Sequence, residues 1–334
     1  MSGKEKVRVG ILGCANIAGK YAIAAFKSLP NVELVAIASR KENTAKEWAA
    51  RHGLEAETYE SLIARDDIDV LYSPLPVGLQ EEWAARAAVA GKHVICEKSI
   101  TYSLESAQRM TETFKKNGLA LYENFAPEFQ PQHEKVLSLI KEGAIGTPHA
   151  WNGRYGFPPF PKGDIRYSSE LKGGALNDCG CYTVFMARKI LQAEPVAVTC
   201  TLSNDGAEVD IKGSALLEFP HASALLAFGF DHLYQNTYSV WGSKGMVRTD
   251  RAFAVPPAFV PTVELIVNDG TKDSRTSVEI PAADRFALSF DFFCKAVAKQ
   301  DTKQFGEMYE RIIRQASVLE AMRTSAKEGR RVEL

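Results

Sequence analysis

Two groups in this chain are suited to passing a proton to an oxygen as negative charge builds on it. One is the amine of Lys98, in Cys96-Glu97-Lys98-Ser99; the other is the phenol of Tyr182, at the end of Gly173-Gly174-Ala175-Leu176-Asn177-Asp178-Cys179-Gly180-Cys181-Tyr182. Reduction of a carbonyl by hydride needs such a donor, because the alkoxide that forms must be neutralised. Lys98 follows the apolar run His93–Cys96, which reads as a strand, so it stands at the carboxyl edge where doubly wound sheets bind ligands. Desolvation there would lower its pKa. The plain alternative is a surface lysine paired with Glu97. Asp178 and Tyr182 are four residues apart and share a face if a helix begins near Asp178. They would then offer a carboxylate for a sugar hydroxyl beside a proton-donating phenol. The alternative is an N-cap at Asp178 and a half-buried aromatic at Tyr182.

Elements upstream must supply the hydride. Val7-Arg8-Val9-Gly10-Ile11-Leu12 is an apolar strand running into Gly13-Cys14-Ala15-Asn16-Ile17-Ala18 and a helix over 17–28. Gly13 permits the tight turn, Ala15 is small enough for close approach of a pyrophosphate, and Ala18 lets the helix pack on the sheet while its amide end faces the anion. A strand-to-helix turn of this kind without a nucleotide is the alternative. The next strand, Val32–Ala38, ends in Ser39-Arg40-Lys41, where a site for the unphosphorylated dinucleotide would carry Asp or Glu for the ribose 2′-hydroxyl. A hydroxyl and two cations suit a 2′-phosphate, which favours NADP(H). A solvated basic start to helix 41–52 is the competing reading.

Up to residue 125 the strands Val70–Ser73, His93–Cys96 and Ala120–Tyr122 alternate with helices over 41–52, 79–90 and 103–117. This predicts a parallel sheet with right-handed crossovers. Beyond Pro127 a helix over 131–142 precedes alternating β-branched and aromatic runs at 150–155, 196–203, 210–219, 222–230, 238–241, 246–249, 263–267 and 276–280. Turns at Asn204-Asp205-Gly206, Gly242-Ser243-Lys244-Gly245 and Asn268-Asp269-Gly270 make consecutive antiparallel pairing the economical reading. Helices over 181–191 and 284–299 are expected to cover one face of that sheet, and a helix over 305–328 to close the chain. The predicted fold is therefore α/β: a Rossmann doubly wound parallel sheet in a dinucleotide domain of residues 1–125, then an α+β domain of residues 126–334 with a large, mostly antiparallel open sheet. The second domain would bind substrate, and its open face implies a homodimer or homotetramer.

Composition excludes several classes. A net charge of −1 over 334 residues offers no footprint for nucleic acid. The polar start Met1-Ser2-Gly3-Lys4-Glu5-Lys6 leads straight into a core strand, and no run of about 18 apolar residues occurs, so no membrane partner and a cytoplasmic location are expected. Six cysteines are scattered without a CxxC pair, and Cys179-x-Cys181 with dispersed histidines does not make a metal site. Metal-free chemistry is the expectation.

Taken together, Val9-Gly10-Ile11-Leu12-Gly13, Glu97-Lys98, Gly173-Gly174-Ala175-Leu176 and Asp178-x-Gly180-x-Tyr182 resemble the Gfo/Idh/MocA oxidoreductases over essentially the whole chain. Gly163-Asp164-Ile165-Arg166-Tyr167, Glu123-Asn124-Phe125 with Pro131-Gln132-His133, and Gln235-Asn236-Thr237-Tyr238 most resemble the nucleotide-sugar 3-ketoreductases, which reduce the C-3 ketone of dTDP-linked deoxysugars with NADPH. The resemblance implies Lys98 beside the reacting carbonyl, Tyr182 as the acid and Asp178 on substrate hydroxyls. It implies Gly13, Ala15, Asn16 and Ile17 on the pyrophosphate, Ser39, Arg40 and Lys41 on the 2′-phosphate, and Ser73, Pro74, Leu75, Gln80, Glu97 and Asn124 around adenine, ribose and nicotinamide. Arg166 and Tyr167 become candidates for the nucleotide-diphosphate end, and Gln235 a further substrate contact. Two departures stand out: Ser99 replaces the usual Pro after Glu-Lys, which argues against a cis bond there, and Gln80 stands where many members have His. A dehydrogenase of free sugars, inositols or trans-dihydrodiols, and a non-catalytic dinucleotide sensor, are the competing functions.

Overall fold

A computed structural model of the chain describes residues 6–268 and 270–334; Met1–Glu5 and Asp269, the middle of one expected turn, lie outside the described residues. Two compact units emerge: the residues up to Phe125 together with Phe286–Ala316, and Ala126–Arg285 together with Ser317–Leu334.

In the first unit, β1 (Val7–Leu12), α1 (Ile23–Ser28), β2 (Val32–Ala38), α2 (Glu42–His52), β3 (Glu55–Glu57), α3 (Tyr59–Ala64), β4 (Val70–Ser73), α4 (Val77–Val89), β5 (His93–Glu97), α5 (Leu104–Lys116) and β6 (Leu121–Asn124) follow one another. The strands form a parallel sheet of order β3-β2-β1-β4-β5-β6. Strand order reverses between β1 and β4, the switch point at which such sheets open a ligand crevice. Every residue of β4 and β6 is buried, and Val9 and Ile11 of β1 are wholly so, as expected of strands covered on both faces. The helix expected over 17–28 opens at Asn16-Ile17 and passes through a π-helical turn, Ala18–Ala22, before α1. Helix α5 is punctuated as its sequence implies: Ser103 Oγ accepts from the Ser106 amide (3.2 Å), and Gly118 takes a left-handed conformation just beyond its end.

The second unit contains α6 (Pro131–Lys141), β7 (Pro148–Gly156), α7 (Cys181–Leu191), β8 (Ala197–Ser203), β9 (Lys212–Glu218), β10 (Ser223–Gly229), β11 (Gln235–Gly242), β12 (Gly245–Asp250), β13 (Thr262–Asn268) and β14 (Asp273–Glu279). Then come α8 (Arg285–Lys299), α9 (Thr302–Glu328) and β15 (Val332–Glu333); α8 from Phe286 onward and α9 as far as Ala316 belong to the other unit. The sheet order is β14-β13-β12-β11-β7-β10-β9-β8-β15. It is mostly antiparallel, with one break in the expected consecutive pairing. Strand β7 lies between β10 and β11 and runs parallel to β10, Ser223 facing Ala150 and Gly229 facing Gly156. Alternation along the central strands separates two faces: Trp151, Tyr155, Leu226, Tyr238 and Val240 are buried, whereas Arg154, Leu225 and Trp241 are exposed.

The helix expected to cover this sheet over 284–299 does something else. From Phe286 onward it belongs to the first unit, and its aromatic face explains why: Phe290 stacks on Phe26 at 3.9 Å, Phe286 stacks on Tyr21 at 5.3 Å, and Phe293 meets Tyr122 at 5.7 Å. A periodic apolar face shows that a helix packs without showing on what. The proposed 126–334 domain is accordingly interrupted by residues 286–316.

Candidate active site

The carboxyl ends of five adjacent strands bring together Gly13 after β1, Ser39 after β2, Ser73 in β4, Glu97 in β5 and Asn124 in β6. Gly13 has φ +130°, a conformation closed to ordinary side chains, and a Cβ there would lie 3.1 Å from Leu75. The Ala15 carbonyl accepts from the amides of Ala18 (2.9 Å) and Gly19 (3.3 Å), so the helix opens at Asn16 and Ile17 with its first amides beyond the reach of intrahelical acceptors. Ser39 is fixed by its amide on Glu57 O (3.2 Å), and its Oγ accepts from the Lys41 amide (3.2 Å). Arg40 and Lys41 are exposed, and among the described residues neither side chain forms an ion pair. A glycine cradle, an open helix end and two cations without carboxylate partners fit a phosphorylated dinucleotide. Cys14 lies in the same turn, its thiol pushed up to about 11 by burial against the lowering effect of Ser39.

Behind this edge runs a hydrogen-bonded chain. Glu97 Oε1 accepts from Tyr72 OH (2.8 Å) and Asn124 Nδ2 (2.7 Å); Asn124 Oδ1 accepts from Ser289 Oγ (2.7 Å), which lies 3.1 Å from Tyr122 OH. Glu97 and Asn124 face each other in register, so the two strand ends are locked together directly before Lys98. Gln80 is buried with its amide engaged: Oε1 accepts from Ser73 Oγ (2.8 Å), and Nε2 donates to Ser73 O (3.1 Å) and Leu75 O (2.8 Å). It holds the Ser73-Pro74-Leu75 segment in place.

In the second unit Asp178 lies inside a π-helical turn, Leu176–Gly180, whose N-cap is Ala175, so it is not the cap of a helix. Its Oδ2 accepts from Arg166 Nε at 2.9 Å, while Asp164 Oδ1 receives Arg166 Nη1 at 3.0 Å. Burial alone would lower the Arg166 pKa, but the two facing carboxylates raise it above its ordinary value. The guanidinium also lies over the Phe160 ring at 4.2 Å. A cation already matched by two carboxylates has little field left for a diphosphate, which tells against the expected role of Arg166. Tyr167 OH accepts from the Phe160 amide (3.0 Å). Tyr182, half-buried in α7, meets Tyr155 edge-on at 5.4 Å and Phe253 at 6.3 Å. Gln235 begins β11, its side-chain Nε2 donating to Tyr234 O (3.1 Å).

Sequence matches follow this geometry closely. Residues 7–125 match the oxidoreductase family model for an NAD-binding Rossmann fold, and residues 133–248 match the GFO/IDH/MocA C-terminal domain. The chain belongs to the Gfo/Idh/MocA family. It is 38% identical over 96% of both chains to a dTDP-3,4-didehydro-2,6-dideoxy-alpha-D-glucose 3-reductase of Actinomadura kijaniata. It is 30% identical to a D-xylose 1-dehydrogenase (NADP(+)) 2 of Haloferax volcanii, over 97% of this chain and 99% of the relative. Among solved structures, KijD10, a 3-ketoreductase from Actinomadura kijaniata in complex with NADP and TDP-benzene, matches with TM-score 0.90 and 38% identity, covering 96% of this chain and 98% of that one. KijD10 has also been solved with one tyrosine replaced by phenylalanine and with one lysine replaced by alanine.

With Ser99 in place of Pro the sequence predicts a trans bond after Lys98, yet Lys98–Ser99 is cis. Tertiary contacts override the local amide preference: Ser99 is buried, and the Ile100 amide donates to Glu123 Oε1 at 2.9 Å. One functional neighbour escaped the motif reading altogether. Asp210 Oδ2 accepts from the Leu176 amide (2.6 Å) and its carbonyl from the Ala175 amide (2.7 Å), so it holds the entry to the π turn; burial raises its pKa against the lowering effect of the Leu176 amide. Gly174, at φ +107°, has no room for a Cβ against that carboxylate. No sequence signal marks Asp210, because its partner is a backbone amide 34 residues away.

Proposed function

We infer that this chain is an NADPH-dependent 3-ketoreductase of a dTDP-linked deoxysugar. The observation that carries the reading is the full-length likeness to a 3-ketoreductase crystallised with NADP and TDP-benzene, on a fold whose cofactor edge carries two exposed cations at the end of β2. When bound, NADPH supplies hydride to the ketone carbon. Lys98 hydrogen-bonds the ketone oxygen, and Tyr182 gives its proton to that oxygen as the C–O π pair moves onto it, leaving a secondary alcohol and NADP+. The residue types replaced in the KijD10 variants are the same two, a lysine and a tyrosine. Asp178, oriented by Arg166, accepts from a sugar hydroxyl. Gln80 serves by bracing Ser73, Pro74 and Leu75, and the Glu97–Asn124 lock holds the approach to Lys98.

The likeness to a xylose dehydrogenase favours a second reading, oxidation of a free aldose with NADP+. Initial rates with a dTDP-3-keto-6-deoxyhexose and NADPH, set against D-xylose and NADP+, separate the two: saturable turnover of the nucleotide sugar alone supports the reductase, and turnover of xylose alone overturns it. The open sheet face, with Leu225 50% and Trp241 59% exposed, is the surface through which a second copy pairs. Among the described residues no helix is long and apolar enough to cross a membrane; a cytoplasmic location is part of the proposal.

A further inference from the structure

Two segments singled out by their sequence, Pro131-Gln132-His133 and Gln235-Asn236-Thr237-Tyr238, converge on one short stretch of backbone, Arg251–Ala254. Buried Gln132 donates through Nε2 to Arg251 O (3.1 Å). His133, wholly buried, has Nε2 3.0 Å from Ala252 O and Nδ1 2.8 Å from Tyr238 OH. Asn236 accepts from the Phe253 amide (2.6 Å) and donates through Nδ2 to Ala254 O (3.1 Å) and Tyr234 OH (2.9 Å). Every one of these braces is a buried polar side chain whose partner is fixed, the arrangement that defines a single backbone path.

What the braces hold is an unusual residue. Arg251 sits at φ +56°, in the left-handed region that non-glycine residues seldom adopt. Its Nη1 donates to Tyr234 OH (3.0 Å), and its guanidinium lies over the Tyr234 ring at 5.0 Å and the Phe259 ring at 5.6 Å. Among the described residues Arg251 forms no ion pair, in contrast to Arg166 with its two carboxylates. At the other end of the same stretch, Phe253 contacts Tyr155 (5.1 Å) and Tyr182 (6.3 Å). One braced segment therefore joins an aromatic ring beside the proposed acid to an unmatched guanidinium set on two aromatic rings.

We propose that Arg251 binds the diphosphate of the substrate, with Tyr234 and Phe259 offering aromatic faces to the nucleobase. A guanidinium fork matches phosphate oxygens, and flat rings match a base. Arg166 is left to orient Asp178. This assignment rests on the reading of the chain as a nucleotide-sugar reductase.

The test is calorimetric titration of dTDP into the NADP+-loaded enzyme, for wild type, Arg251→Met, Arg166→Met and Phe259→Ala. Wild type binds dTDP, Arg251→Met loses at least tenfold in affinity with NADPH binding unchanged, and its KM for the dTDP-keto-sugar rises more than its kcat falls. Phe259→Ala, at an exposed position, loses several-fold for dTDP and nothing for inorganic pyrophosphate, which keeps the test decisive should Arg251→Met fail to fold. Unchanged dTDP affinity in Arg251→Met, or in Phe259→Ala where Arg251→Met does not fold, overturns the assignment, as does a loss confined to Arg166→Met. Wild type that takes NADPH but neither binds dTDP nor reduces the dTDP-keto-sugar overturns the parent reading and this one with it, whereas a fully active wild type with an indifferent Arg251→Met overturns this one alone.

Discussion

Arg40→Ala separates the two dinucleotides. Arg40 stands exposed at the end of β2, next to a serine whose hydroxyl is already fixed by the Lys41 amide, and no carboxylate among the described residues competes for its charge. Two unit charges about 4 Å apart interact by ~1 kcal/mol in bulk water and ~4 kcal/mol at an effective dielectric constant of 20. A rim position between those limits gives about 2 kcal/mol, or roughly thirtyfold in Kd. NADH lacks the 2′-phosphate and should change by less than about twofold, since its pyrophosphate is proposed to rest on Gly13 and the helix amides. Titrations of nicotinamide fluorescence with both cofactors, repeated at two salt concentrations, measure the effect. Wild type should lose NADPH affinity with added salt more steeply than the variant. Equal losses for NADPH and NADH, or no loss for either, would refute the placement of the 2′-phosphate on this cation pair.

Three further outcomes follow from the same structure. Gly174→Ala forces a Cβ against Asp210 at φ +107°; it should lower stability by about 1–3 kcal/mol and abolish turnover, while NADPH titration of the folded fraction stays at the wild-type Kd. Tyr182→Phe should reduce kcat with the NADPH Kd unchanged, and unaltered single-turnover rates would remove the phenol as proton donor. Burial holds His93 at a pKa of about 4 and His133 at about 3, below the ordinary 6.5. The unfolded chain takes up those protons first, so stability is full above about pH 6.5 and falls as pH drops toward the folded values, by up to about 1.4 kcal/mol per pH unit for each histidine. Denaturant melts between pH 7 and 5 measure this directly, and a flat profile would contradict it.

The parallel sheet was legible because its strands are buried on both faces and read as continuous apolar runs, with Ser103 and Gly118 punctuating α5. Strand β3, Glu55–Glu57, gave no such signal: it is polar and exists because β2 offers an edge. The insertion of β7 between β10 and β11 is a choice among tertiary partners that alternation alone does not encode. The site divides in the same way. Residues at strand ends, such as Gly13 and Glu97, follow from pattern and position. Pairings across long separations, such as Arg166 with Asp178 and Asp210 with the Leu176 amide, do not. Local preference also misled at Lys98–Ser99, where packing rather than residue type decides the peptide's geometry.

The central claim is that hydride from NADPH reaches C-3 of a nucleotide-linked keto-sugar while Lys98 and Tyr182 attend the oxygen. It is tested most directly with NADPH deuterated at the transferring position and a dTDP-3-keto-6-deoxyhexose, followed by NMR of the product. Deuterium at C-3 of the sugar, in amounts equal to the NADPH oxidised and lost in the Lys98→Met, Tyr182→Phe double variant, is the expected result. Oxidation without label at C-3, or full labelling in the double variant, would contradict it.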